Sequence, residues 1–277
     1  MKIKGHSNFE VKLEKLDNDV VITKSSSSKD FDRLSKQMAK QEEFSNKYSK
    51  KFKINTPRII KNKDNKFYME YVYFSENFID FMVKGNIRKT NWFLKKIFTI
   101  IDNYLQECEY DYLQKGILKE KIDSVKENLS KNNYIEFDSS FIQENLKYLY
   151  SNLEKIENIK IPLGICHGDL TFSNILIDCN DMNIYLIDFL DSFIESPILD
   201  IVKIRQDTKF YWVTNMYSDN FDKNSIILTL NFMDKEVKKY FSKYEFFNKT
   251  YEFFEKLNIL RVLQYSNDNK MSFFDIK

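Results

Sequence analysis

Between residues 166 and 190 three oxygen-bearing side chains stand at spacings that chemistry can use. Asp169 follows an apolar run over residues 161–166 and the pair His167-Gly168, so it belongs on a loop at a strand end. Asn174 lies five residues on, at the start of the short apolar run Ile175-Leu176-Ile177. After a turn over residues 178–183, Ile184-Tyr185-Leu186-Ile187 returns, and Asp188 ends it within Ile187-Asp188-Phe189. A two-stranded hairpin folds its ends together, which makes Asn174 and Asp188 neighbours with Asp169 beside them. Two carboxylates and an amide oxygen are hard donors that suit Mg²⁺. A carboxylate off the metal can accept a proton from a hydroxyl. Any one of these residues alone reads as a polar loop residue capping a strand; the ordered set with a hairpin between its members points to chemistry.

The elements that must position this set follow from periodicity. Phe9, Val11 and Leu13 alternate, a turn follows at residues 16–19, and Val20-Val21-Ile22-Thr23-Lys24 returns, which is a β-hairpin pattern. After four serines, Asp30 caps a helix expected to run to about Tyr48 with Phe31, Leu34, Met38 and Phe44 inward. Thr56-Pro57 ends it; strands follow at Arg58-Ile59-Ile60 and Phe67-Tyr68-Met69-Glu70-Tyr71-Val72. From about residue 75 the period becomes helical, with Trp92, Leu94, Ile97, Phe98, Ile101, Tyr104 and Leu105 as one face. Further helices are expected over 113–129, 139–156 and most of the chain after Asp200. The fold class is α+β, with a small antiparallel lobe over 1–74 and a larger, mainly helical lobe over 75–277.

In phosphoryl transfer the Asp of an H-x-D-x-x-x-x-N run takes the nucleophile's proton, while the Asn and a later Asp-Phe aspartate hold the metals on the nucleotide phosphates. On His167-Gly168-Asp169, Asn174 and Ile187-Asp188-Phe189 the chain resembles the aminoglycoside phosphotransferase and choline kinase superfamily, small-molecule relatives of protein kinases. The resemblance covers most of the chain in element order and is specific around residues 165–200. It implies a protein-kinase-like two-lobe fold, ATP or GTP as donor, Mg²⁺ as cofactor, and a small molecule bearing a hydroxyl as acceptor. Asp169 would be catalytic, and Asn174 and Asp188 would hold the metal. Lys24, ending its strand, would meet the nucleotide phosphates. Counting back from Pro57 makes Glu43 its helix partner, with Glu42 close behind. Ser7 and Asn8, in Gly5-His6-Ser7-Asn8, are similar to the family's loop over the phosphates. Glu70 and Val72 stand where the family's hinge meets adenine through backbone groups. Asp200, in Glu195-Ser196-Pro197-Ile198-Leu199-Asp200, would orient the catalytic loop, or cap a helix.

Composition narrows the field. With 43 Lys+Arg against 41 Asp+Glu, the net charge of +2 offers no basic field for nucleic acid. Five glycines and three prolines are too few for a turn-dense all-β sandwich. Three cysteines without a CxxC pair fit a reducing cytoplasm. Cys166 and His167, adjacent on a strand, point to opposite sides and form no nucleophile pair. No apolar run reaches the ~18 residues of a membrane span. The aromatic stripes around Phe98 and Phe253 read as core. Arg261 and Tyr265, one helical turn apart, would line the acceptor pocket or tie their helix to the lobe. Without a global acidic charge for a polycation, a sugar or amino alcohol is favoured over an aminoglycoside. The rival readings are a catalytically silent nucleotide-binding pseudokinase that regulates a partner, and a helical interaction module.

Overall fold

Residues 2–3, 9–27, 30–63, 65–215, 217 and 221–265 are described by the computed structural model. The chain begins β1 (Lys2–Ile3), β2 (Glu10–Leu16), β3 (Asp19–Ser25) and α1 (Phe31–Phe44), then passes through a π turn (Ser45–Ser49) into α2 (Lys50–Phe52). Next come β4 (Ile59–Lys63), β5 (Lys66–Glu70), β6 (Ser75–Glu76), α3 (Phe78–Val83), α4 (Ile87–Glu107), β7 (Glu109–Asp111), α5 (Ile117–Lys131) and α6 (Ser140–Glu157). The rest is β8 (Ile161–Leu163), a 3₁₀ turn (Phe172–Asn174), β9 (Ile175–Asp178), β10 (Asn183–Leu186), α7 (Pro197–Phe210), a 3₁₀ turn (Trp212–Asn215), α8 (Lys223–Phe241) and α9 (Glu245–Leu263). Two compact units result: residues 1–89 with 167–192, and residues 90–166 with 193–277.

The first unit carries a five-stranded antiparallel sheet in the order β1-β2-β3-β5-β4. The β2–β3 turn needs a left-handed residue, and Asp17 supplies it at φ 54°. On β3, Ile22 and Lys24 pair with Met69 and Phe67 of β5, so period two sends all four to one face. That face packs on α1: Phe9, Leu34, Met38, Phe67 and Met69 form the core, with Ile22, Phe31 and Ile59 against it. Lys24 is therefore carried onto the helix-covered face. The helix expected to run to about Tyr48 is α-helical to Phe44, widens into the π turn with its backbone still right-handed, and ends after Phe52, where Lys53 is left-handed. Asp30 stands at the cap position, but its carboxylate accepts from Ser27 Oγ at 2.9 Å instead of from a helix N–H.

A second sheet, β10-β9-β6, belongs to the same unit. The β9–β10 hairpin pairs Ile175 with Leu186 through Asp178 with Asn183, and Asp178 Oδ1 accepts the turn N–H groups of Asn180 and Asp181 at 2.9 and 3.2 Å. Asn55, just past α2, docks on this hairpin: its N–H donates to Ile184 O at 3.2 Å and its carbonyl accepts from Leu186 N–H at 2.8 Å.

The second unit is built on helices. Of the stripe expected on α4, Leu94, Ile97, Ile101 and Tyr104 are buried and Trp92, Phe98 and Leu105 half-buried, while Phe93 and Ile100 complete the buried face. Helices α7 and α9 bury residues on nearly every side, as central helices must. Phe246, Phe247, Tyr251, Phe253 and Phe254 are all core, and Phe98 stacks on Tyr240 at 3.9 Å. The strand expected over 161–166 shortens to β8, since Gly164 leaves the ladder and donates its N–H to Glu195 O at 2.9 Å. Among the described residues no helix is long and apolar enough to cross a membrane.

Candidate active site

The loop from His167 to Asn174 is held by its neighbours' backbone. Gly168 sits at φ +88°, and a Cβ there would meet Leu190 O at 2.3 Å and Ser192 Oγ at 2.4 Å. The 188–192 segment passes so close that only glycine fits. His167 is fully buried; its Nδ1 accepts the Asp169 N–H at 3.3 Å, so Nε2 carries the ring proton and donates it to Ile187 O at 2.9 Å. Burial pushes this imidazole down to about 4; Asp169 opposes the shift and Lys40 reinforces it. His167 is thus a neutral tie between the Asp169 loop and the end of the hairpin. Leu190 N–H to His167 O, at 3.0 Å, is a second tie.

Asn174 Nδ2 donates to Asp169 Oδ2 at 3.1 Å and to Asp169 O at 2.8 Å. The Ile187 N–H donates to Asn174 O at 3.0 Å, extending the hairpin ladder and setting Asn174 beside the residue before Asp188. Asp188 itself is left-handed at φ 62°, a conformation that Asp tolerates better than most residues. Its Oδ1 accepts from Lys24 Nζ at 3.0 Å. The structure therefore brings Asp169, Asn174, Asp188 and Lys24 into one chain of contacts.

Glu43 is not part of it. It faces solvent and pairs with Lys47 at 2.6 Å, one helical turn on, and Glu42 is exposed as well. Helix phase is the reason. The inner stripe of α1 is Leu34, Gln37, Met38, Gln41 and Phe44, so positions 42 and 43 point away from β3. The helix side chain that meets Lys24 is Gln37, whose Oε1 accepts from Nζ at 3.3 Å. Sequence reasoning missed it, although a polar residue three positions after Leu34 on an apolar stripe was the available signal. Lys24 is 3% exposed, with its ammonium 5.0 Å from the centre of the Phe9 ring. Two further contacts from α1 reach the segment after Asp188: Lys40 Nζ donates to Leu190 O at 2.9 Å, and the rings of Phe44 and Phe189 lie 5.0 Å apart.

The other expected residues are placed as follows. Glu70 ends β5, exchanging backbone and side-chain bonds with Arg58: its N–H donates to Arg58 O at 2.9 Å and its Oε2 accepts the Arg58 N–H at 3.2 Å. Val72 is buried just past the strand, with its carbonyl accepting from Ser75 Oγ at 2.9 Å. Ser7 and Asn8 lie outside the described residues. In the second unit, Asp200 is buried in the first turn of α7, but the cap is Ser196, whose hydroxyl oxygen accepts from Ile198 N–H. Arg261 lies over the Phe193 ring at 5.4 Å, and Tyr265 is exposed. Cys166 Sγ faces Glu195 Oε2 at 3.3 Å, turned away from the contacts His167 makes, and all three cysteines are free thiols.

The donor set fits Mg²⁺. With Nδ2 on Asp169, the Asn174 Oδ1 is the end that can ligate a cation, and the Asp188 side chain is 45% exposed. Among the described residues no three Asp, Glu, His or Cys side chains form a cage. Mg²⁺ bound through one or two carboxylates and substrate phosphates needs none.

Residues 110–223, which include Asp169, Asn174 and Asp188, match the model of the phosphotransferase enzyme family, APH. No curated protein matches the chain in sequence. Among solved structures, the choline kinase of Cryptosporidium parvum Iowa II is 14% identical with a TM-score of 0.57, over 99% of this chain and 85% of that one. The choline kinase LicA of Streptococcus pneumoniae is 12% identical with a TM-score of 0.51, over 95% of this chain and 91% of that one. The aminoglycoside phosphotransferase APH(2'')-IIa in its gentamicin complex is 15% identical with a TM-score of 0.52, over 95% and 90%. The chain thus has a protein-kinase-like fold, and it resembles the aminoglycoside phosphotransferase and choline kinase superfamily.

Proposed function

We propose that the protein is a cytoplasmic, ATP- and Mg²⁺-dependent phosphotransferase that moves a γ-phosphoryl group to a hydroxyl of a small molecule, a sugar or amino alcohol in preference to an aminoglycoside. The observation that carries this reading is the contact chain Asn174–Asp169 at 3.1 Å and Lys24–Asp188 at 3.0 Å, closed by Ile187 N–H to Asn174 O at 3.0 Å. Residues 1–74 act as the nucleotide-binding lobe, with the backbone of Glu70 and Val72 at the adenine edge. Residues 75–277 carry the catalytic loop and the acceptor site.

The Asp169 carboxylate accepts the proton of the acceptor hydroxyl as that oxygen takes the phosphoryl group and ADP leaves. The Asn174 amide holds Oδ2 of Asp169, which orients the carboxylate. Lys24 neutralises phosphate charge. Mg²⁺, when bound by Asn174 and Asp188, supplies further neutralisation of the phosphates. Positioning and charge carry most of the acceleration in a loose transition state.

The test is an ADP-release assay with Mg-ATP over sugars, amino alcohols and aminoglycosides, alongside thermal melts. ATP at ~100 times its Kd should add ~2.7 kcal/mol of stability. Turnover with one acceptor class is the expected result. Stabilisation without turnover for any acceptor would make the chain a pseudokinase, and no stabilisation by Mg-ATP would leave an interaction module.

A further inference from the structure

The ammonium of Lys24 is almost fully enclosed, yet α1 offers it no charge. Its contacts are Gln37 Oε1 at 3.3 Å, Asp188 Oδ1 at 3.0 Å and the face of Phe9 at 5.0 Å. Among the described residues Asp188 is its one carboxylate partner. An enclosed cation needs hydrogen-bond acceptors on more than one side, and Gln37, itself buried, supplies one from the helix.

We propose that Gln37 is the positioning residue of Lys24, and that its neutrality makes Lys24 and the metal share a single carboxylate, Asp188. This inference rests on the phosphotransferase reading. An acid on α1 would cancel the lysine's charge from the helix side and leave Asp188 to the cation. With an amide there, nothing on α1 offsets the lysine's charge, and among the described residues the carboxylate that does is Asp188. Two consequences follow. Nucleotide phosphates are attracted to Lys24 even without metal. Cation binding at Asp188 must work against the Lys24 ion pair.

The first measurement is a double-mutant cycle on the ligand-free chain with Lys24→Met, Gln37→Met and the pair, read by denaturant midpoints. Gln37→Met keeps length and removes the acceptor. Pinning predicts that it destabilises the parent chain and does little once Lys24 is Met. Equal effects in both backgrounds would show that Gln37 acts by packing, and the inference would fall.

The second measurement is calorimetric ATP affinity in EDTA and in saturating Mg²⁺, for the parent chain and Gln37→Glu. Replacing the amide by a carboxylate should weaken metal-free ATP binding about threefold to tenfold and leave Mg-ATP binding unchanged or tighter. The ratio of the two affinities therefore widens. A purely structural change would move both affinities together and leave the ratio flat. A flat ratio in a chain that binds ATP overturns this inference alone. A parent chain that binds no ATP in either buffer overturns the proposed function and with it the sharing of Asp188, while the ligand-free cycle still decides whether Gln37 pins Lys24.

Discussion

His167 offers a test of the site's architecture that needs no substrate. The ring is fully buried, and burial pushes its pKa from the ordinary 6.5 to about 4. Between those values the unfolded chain binds a proton that the folded chain refuses. Protons bound are then greater in the unfolded state, so stability rises with pH across this window and falls on acidification. A shift of this size corresponds to about 3 kcal/mol, lost progressively as pH drops from 6.5 to 4. The assay is urea denaturation of the wild-type chain and of His167→Gln at half-unit pH steps. The amide keeps a donor for Ile187 O but does not titrate. The difference between the two stability curves should steepen below pH 6.5 and level off near pH 4. Imidazole carbon shifts give a second readout. The chain has two histidines, and one must stay neutral through pH 5. Parallel stability curves, or two imidazoles both titrating near 6.5, would refute the buried tie between the Asp169 loop and Ile187.

Three more outcomes are expected. Asp169→Asn should lower kcat by ~10² to 10⁴ and leave ATP affinity nearly intact; unchanged turnover in steady-state assays would remove the proton-accepting role. Asp188→Asn keeps a residue that tolerates the left-handed backbone and deletes the charge, so Mg²⁺ should no longer enhance ATP binding; a normal Mg-ATP titration would contradict the metal assignment. Gly168→Ala places a Cβ 2.3 Å from Leu190 O at φ +88°; a loss of ~2 to 4 kcal/mol is expected, and a wild-type urea midpoint would mean the loop can move aside.

What the sequence revealed and what it hid follow from how far each signal reaches along the chain. The Asp169, Asn174 and Asp188 set was legible because a short hairpin joins its members, and hairpin pairing is a local rule: Ile175 opposite Leu186 follows once the turn is seen. Lys24 was legible by its place at the end of an alternating strand, and the same alternation, with Ile22 and Lys24 on one face, sends it under α1. Its partner was missed because a distance counted back from Pro57 crosses the π turn over Ser45–Ser49, where the helical period changes. Counting forward from Leu34 stays inside regular helix. There the apolar stripe admits position 37 and rejects 42 and 43. Gly168 had a second reason to be glycine, the close passage of Leu190, and no local pattern discloses a contact between residues 22 positions apart. For Asp200, read as orienting the catalytic loop or else capping a helix, the cap alternative is excluded: Ser196 immediately before Pro197 is the cap of α7, and proline at the first helical position is the local signal for it. Placement from sequence works where a single period runs unbroken to the residue: Gln37 and Glu43 both lie in α1, and the count that favoured Glu43 started beyond the π turn that follows the helix.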